Sequence, residues 1–146
     1  MSQAEVLRQI KAGAIRVRHT AAMLAPLVAK RAIAIVEDDA SFGKALRYTL
    51  EAQGYAVSLF GRAQEAIDSR QILSADCLLI DLALQDSDGL TVLHALRDRQ
   101  LTCPAILIGG NLTAGSRREA GKAGAIVLEK PIMGDVLNQH LRDVLR

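Results

Sequence analysis

Five short runs of apolar residues, separated by longer stretches of mixed polarity, constrain the fold of this chain more than any other feature of its sequence. The first run, AIAIV, is continuous rather than alternating, as expected for a parallel strand that is buried on both faces. We therefore predict five buried strands. Their ranges are Ala32 to Val36, Tyr55 to Phe60, Cys77 to Ile80, Ala105 to Ile108 and Ala125 to Leu128.

Between these runs, apolar residues recur at the three- and four-residue spacings of a helix. Strands that alternate with helices form right-handed crossovers, which place helices on both faces of a parallel sheet. The sequence thus predicts a doubly wound α/β fold. The predicted helices span Ser41 to Gln53 with Gly54 as a C-terminal cap, Ala63 to Arg70, a segment around Leu90 to Arg97, residues 113 to 123, and Ile132 to Leu145.

Acidic residues and a lysine follow the predicted strands, at the sheet edge where doubly wound folds bind their ligands. The first strand ends in Glu37, Asp38 and Asp39, the third ends at Asp81, and Lys130 follows the fifth. Clustered carboxylates repel one another unless a cation neutralises them, and oxygen ligands without His or Cys favour Mg²⁺ or Mn²⁺. Asp81 is then a candidate nucleophile for phosphoryl transfer.

Two of these residues also have a simpler interpretation. Asp39 alone is better explained as the N-terminal cap of the next helix. Lys130 before a proline is compatible with an ordinary surface turn. Only the coincidence of several strand ends favours a site.

The segments IAIVEDD, LLIDLALQDSDGL, PAILIGG and LEKPI, in this order, resemble the signatures of response-regulator receiver domains, most closely those of the FixJ type. The resemblance covers about residues 32 to 145. It implies a flavodoxin- or CheY-like sheet with strand order 2-1-3-4-5. The set of segments is specific, although any one of them would be a weak signal.

The resemblance implies that Asp81 is the phosphorylated residue and that Lys130 pairs with the phosphoryl oxygens. Asp38 would bind Mg²⁺ or Mn²⁺ directly, Glu37 would bind it through water, and Asp81 together with the backbone carbonyl of Ala83 would complete the protein ligands. By the same resemblance, Asp88-Gly89 forms the turn into the third helix and the Lys130-Pro131 bond is cis.

Three positions depart from the family pattern. Gly109 stands where a Ser or Thr is usual, so the hydroxyl that would report phosphorylation is missing. Val127 stands at the usual switch aromatic, and Gln85 at a usual proline. We expect the phosphorylation chemistry to be retained and the output to differ.

These observations leave two functions open. The first is a stand-alone receiver that accepts a phosphoryl group from a sensor histidine kinase or phosphotransfer protein and signals by contact with an unknown downstream protein. The second is a phosphorylation-independent receiver that serves only as an interaction module. In neither case is the chain an enzyme beyond its own phosphorylation and dephosphorylation, and a homodimer is expected only by analogy with the family.

No DNA-binding domain follows the last predicted helix, so direct DNA binding is not expected. No apolar run reaches the roughly 18 to 20 residues of a spanning helix, and the two cysteines show no zinc-binding spacing. A cytoplasmic location is therefore expected.

The predicted domains are a basic N-terminal extension, residues 1–31, and a receiver, residues 32–146. The extension contains a single acidic residue, Glu5, and its apolar residues have helical spacing. It is either an amphipathic helix that binds a partner, a membrane surface or a phosphate backbone, or a partly disordered basic segment. The apolar residues concerned are Val6, Leu7, Ile10, Ala14 and Val17.

Overall fold

The structure is a computed structural model that describes residues 2–11, 30–133 and 135–145. Each predicted apolar run forms a strand, and the five strands pair in parallel in the order 2-1-3-4-5. The predicted doubly wound sheet and its strand order are therefore confirmed. The strands are β1 (Ala32–Val36), β2 (Ala56–Phe60), β3 (Cys77–Asp81), β4 (Ala105–Gly109) and β5 (Ala125–Glu129).

Helices connect the strands and cover both faces of the sheet. They are α2 (Ala40–Ala52), α3 (Ala63–Asp68), α4 (Gly89–Asp98), α5 (Ala114–Lys122) and α6 (Val136–Val144), with a 3-10 helix at Gln71–Ser74. A further helix, α1 (Gln3–Lys11), precedes β1 in the sequence.

The two faces of the sheet carry separate hydrophobic cores, because successive residues of a strand point to opposite sides. In β3, Leu78 and Ile80 belong to one core, and Cys77 and Leu79 belong to the other. All four side chains are fully buried or nearly so. Burial on both faces explains why the central strands are continuously apolar in sequence.

Three of the five strands, β3, β4 and β5, extend past their apolar runs at the carboxyl end. Asp81, Gly109 and Glu129 each continue a ladder past the last apolar residue. Backbone pairing rather than side-chain polarity decides where these strands end, so the residue at each of the three tips is held by the sheet itself. This matters for function because Asp81 is one of these tips.

Two helix boundaries differ from the prediction by more than one residue. Helix α6 begins at Val136 rather than Ile132, because Ile132 packs against the core from the preceding segment and only mimics the helical spacing. Helix α3 ends at Asp68, because Ser69 is extended and its hydroxyl accepts the N–H of Ile72 at the start of the 3-10 helix. Gly54, with φ of +99°, follows the C-cap residue Gln53 of α2, and its N–H donates to Glu51 O, as expected of the glycine that the sequence predicted to end this helix.

By its internal contacts the chain divides into Met1–Lys30 and Arg31–Arg146. Within the first unit, α1 carries an ion pair between Arg8 and Glu5, and Leu7 is 48% exposed. Ala14 and Val17, which belong to the predicted amphipathic pattern, lie outside the described residues. None of the helices in the described ranges has the length and apolar character needed to cross a membrane.

Candidate functional site

The ends of three strands bring Glu37, Asp81 and Lys130 together. The Lys130 Nζ atom lies 2.8 Å from Asp81 Oδ2 and 3.8 Å from Glu37 Oε2. Because β4 lies between β3 and β5, Lys130 reaches Asp81 across the end of β4, where its own N–H donates to the Gly109 carbonyl at 2.8 Å. The sequence-predicted convergence of these side chains is thus present in the structure.

The two acids are the buried charged side chains among the residues the structure describes: Glu37 is 4% exposed and Asp81 is 5% exposed. Burial, together with the hydrogen bond and charge of Asp81, raises the pKa of Glu37 to about 8. Burial also opposes ionisation of Asp81, but hydrogen bonds from Glu37, Lys130 and the Ala83 N–H outweigh it and lower the pKa of Asp81. Asp81 is therefore the ionised member of the pair at neutral pH, and Glu37 holds a proton.

Lys130 keeps its positive charge in this setting. Partial burial works against its protonation, but the hydrogen bond to Asp81 and the charges of Glu37 and Asp81 raise its pKa. The ring of Phe42, in the first turn of α2, lies beneath the ammonium group, with its centroid 4.8 Å from Nζ. This cation–π contact adds to the forces that hold Lys130 in place.

A candidate cation site is offered by Glu37, Asp38 and Asp81, each of which has a carboxylate oxygen within 4.8 Å of the others. An all-oxygen donor set with two buried acids suits Mg²⁺ or Mn²⁺, because a hard divalent cation would relieve the repulsion. The N–H of Ala83 donates to Asp81 Oδ1 at 2.9 Å, which places Ala83 beside the site. The ligand role of its carbonyl stays a prediction.

Neighbouring acids have structural roles. Asp39 accepts the N–H of Phe42 at 3.1 Å and caps α2, as the sequence predicted for this residue. The carboxylate of Asp86 accepts the N–H groups of Ala63 and Gln64 at the start of α3. Nothing in the sequence indicated the contact between Asp86 and α3, since Asp86 is 23 and 22 residues away from Ala63 and Gln64 and meets them only in the folded chain.

Gly89 is required for a reason other than the predicted turn. A Cβ atom at Gly89 would lie 2.5 Å from the Asp81 carbonyl oxygen, and Gly89 N–H donates to Leu82 O at 2.9 Å. The first turn of α4 therefore packs directly on the backbone of Asp81, which no larger residue would permit. The Lys130–Pro131 bond is cis, as predicted.

The two atypical switch positions lie on adjacent strands. Val127 is half-buried in β5 and packs against the core. At Gly109, an added Cβ atom would meet Leu82 Cδ1 at 2.8 Å and Leu112 Cδ2 at 3.0 Å. Leucine side chains therefore fill the space where the related sequences would carry a hydroxyl-bearing residue.

Comparison with known proteins agrees with this geometry. Residues 33–142 match the family described as the response regulator receiver domain. The chain belongs to this receiver family. It is 30% identical over 121 residues to the transcriptional regulatory protein FixJ of Bradyrhizobium diazoefficiens, covering 82% of this chain and 59% of that protein. It is 32% identical over 106 residues to the acid tolerance regulatory protein ActR of Rhizobium meliloti, covering 72% and 55%.

Solved receiver structures share the fold. The non-phosphorylated receiver domain of HemR from Leptospira biflexa superposes with a TM-score of 0.74 at 25% identity, covering 80% of this chain and 94% of that chain. The chemotaxis protein CheY4 of Vibrio cholerae gives a TM-score of 0.73 at 23% identity, covering 80% and 99%. The two solved receivers are thus matched over almost their whole length. In contrast, this chain spans about three fifths or less of the length of the curated relatives FixJ and ActR.

Proposed function

We propose that this receiver accepts a phosphoryl group on Asp81 from a histidine kinase or phosphotransfer protein and passes the signal on by protein contact. The observation that carries the proposal is the 2.8 Å contact between Lys130 Nζ and Asp81 Oδ2 beside a buried acid. Membership of the receiver family supports phosphoryl acceptance as the general role.

Several residues of this chain suit that chemistry. An oxygen of the ionised Asp81 bonds to phosphorus as the bond between phosphorus and the donor's imidazole nitrogen breaks, and the imidazole leaves. The ammonium of Lys130 and the N–H of Ala83 neutralise charge on the oxygens around Asp81. A divalent cation held by Glu37 and Asp38 would supply the remaining positive charge. Apart from this self-phosphorylation and its reversal, we propose no enzymatic activity.

The setting of this activity is also part of the proposal. We place the protein in the cytoplasm. The receiver comprises residues 32–146, and the basic extension, residues 1–31, is a separate segment that phosphoryl transfer does not need. We also propose that the receiver uses Mg²⁺ or Mn²⁺, that it contacts a downstream protein, and that it forms a homodimer. Direct DNA binding by the receiver itself is not expected.

A second function is favoured by one observation. Gly109 has no side chain, and Leu82 and Leu112 lie where one would extend, so this position offers no hydroxyl to a phosphoryl group. A receiver with this substitution could act as an interaction module whose partner binding does not depend on phosphorylation. The two functions differ in whether a change at Asp81 alters partner binding.

The test is incubation of the full chain with Mg²⁺ and acetyl phosphate, followed by intact-mass measurement. We expect the mass of one phosphoryl group to be gained by the native protein and by Asp98→Asn, which changes an exposed acid at the end of α4. Asp81→Asn should gain nothing. Equal labelling of Asp81→Asn, or no labelling of the native protein, contradicts the proposal, and the latter result favours the interaction module.

A further inference from the structure

A backbone group joins the loop after Asp81 to the candidate cation site. The N–H of Gln85 donates to Asp38 Oδ2 at 2.7 Å, although the two residues are 47 positions apart. We propose that the Gln85 N–H is a positioning donor that holds the Asp38 carboxylate in place for the divalent cation. This inference rests on the proposed function, because it concerns the same site.

The carboxylate of Asp38 needs such a restraint. It is half-buried, and it lies within 4.8 Å of the carboxylate oxygens of Glu37 and Asp81. Repulsion from the ionised Asp81 favours rotation of Asp38 towards solvent, since Asp38 is the most exposed of the three acids. A hydrogen bond to a charged acceptor is short and strong, and 2.7 Å is within the range for such bonds.

The hydrogen bond still leaves Asp38 free to bind a cation. An ionised carboxylate has two oxygens with about four acceptor positions, and Gln85 uses one of them. Hydrogen-bond donors behind metal-ligating carboxylates orient these ligands, and their removal typically weakens metal binding by about 10- to 100-fold. The Gln85 N–H has the position of such a donor.

The loop that carries the donor is itself anchored. The next residue, Asp86, accepts the N–H groups of Ala63 and Gln64 at 3.0 and 3.2 Å. On the other side, Leu84 N–H donates to Ser87 O at 3.1 Å. The Gln85 amide is therefore fixed between two contacts, so its hydrogen bond costs little further ordering.

The contact depends on an N–H group rather than on the glutamine side chain, which is exposed. Every residue except proline provides this donor. Gln85 stands at the position where the resembling family usually has proline, so the contact distinguishes this chain from receivers with that residue. The variants Gln85→Pro and Gln85→Ala therefore form a matched pair: the first removes the donor and the second keeps it.

The first experiment is calorimetric titration of the full chain with Mg²⁺, without any phosphodonor. We expect Gln85→Pro to bind Mg²⁺ about tenfold more weakly than the native protein, and Gln85→Ala to bind it within about twofold. Thermal unfolding of both variants shows whether each is folded. Folded Gln85→Pro that binds Mg²⁺ as tightly as the native protein overturns the inference, as does an equal loss in Gln85→Ala.

The second experiment needs neither proline nor a cation. Amide hydrogen exchange measured by NMR should show a protected Gln85 N–H in the native protein and loss of this protection in Asp38→Ala. Unchanged protection in Asp38→Ala overturns the inference. Failure of this inference can be told apart from failure of the proposed function. If the native protein takes no phosphoryl group but binds Mg²⁺ with the Gln85 dependence described above, only the proposed function is contradicted.

Discussion

The two adjacent glycines at the end of β4 have different surroundings. A Cβ atom at Gly109 would lie 2.8 Å from Leu82 Cδ1 and 3.0 Å from Leu112 Cδ2, whereas a Cβ atom at Gly110 would meet nothing within 4 Å. The carboxyl end of β4 thus packs on the residue that follows Asp81. Any side chain at Gly109 must first displace these leucines.

We therefore expect Gly109→Ala to lower the free energy of unfolding by about 0.5 to 1.5 kcal/mol, the cost of turning the ends of two half-buried leucine side chains away from their preferred rotamers. Gly110→Ala should leave it nearly unchanged. Urea unfolding of the three proteins measures the difference. Equal stability of Gly109→Ala and Gly110→Ala would show that the leucines move aside without cost.

At the scale of a single element, α5 depends on its cap. The Thr113 hydroxyl accepts the N–H of Ser116 at 3.0 Å, and the Ser116 hydroxyl accepts the N–H of Thr113 at 3.0 Å. The sequence predicts only a weak helix over residues 113 to 123, because this segment is polar and contains two glycines. The reciprocal hydrogen bonds of the cap offset this weakness, and the structure contains the helix.

Two changes in α5 should have opposite effects on stability. Thr113→Ala removes the cap and should lower the free energy of unfolding by about 1 kcal/mol. Gly121→Ala, at a position where an added Cβ meets no atom within 4 Å, should raise it by roughly 0.5 kcal/mol. Urea denaturation of both variants tests this, and a stabilising Thr113→Ala would contradict the role of the cap.

At the scale of the whole molecule, the buried acid pair links stability to pH. Glu37 has a pKa of about 8 in the folded protein against a reference value of 4.5, so the folded state holds a proton that the unfolded state releases between these values. Stability from this residue is full below about pH 4.5 and is lost as pH rises towards 8. The lowered pKa of Asp81 acts in the opposite sense, but only below its reference value of 3.8.

In the presence of a chelator, the melting temperature should therefore fall as the pH rises from 5 to 8. Glu37→Gln should flatten this dependence, while Glu119→Gln, which changes an exposed acid, should keep it. Differential scanning calorimetry across this pH range measures both. Mg²⁺ should raise the melting temperature more at pH 8 than at pH 6, since binding requires Glu37 to release its proton.

The strands and most of the candidate site could be predicted from the sequence because both depend on local features. Burial on two faces requires continuous apolar runs, and a residue directly after such a run lies at the edge of the sheet. Asp81 and Lys130 could be placed near each other in this way, and so could Glu37. The start of α6 was predicted wrongly because Ile132 packs on the core outside the helix.

Other features were decided only by the tertiary structure. The donor to Asp38 is the backbone N–H of Gln85, which every residue except proline possesses. The identity of residue 85 therefore could not predict this hydrogen bond. Phe42 lies over Lys130, and Gly89 lies against Asp81, because separate elements meet there. Contacts of this kind depend on distances between segments remote in sequence, and these distances exist only once the sheet and its helices have packed.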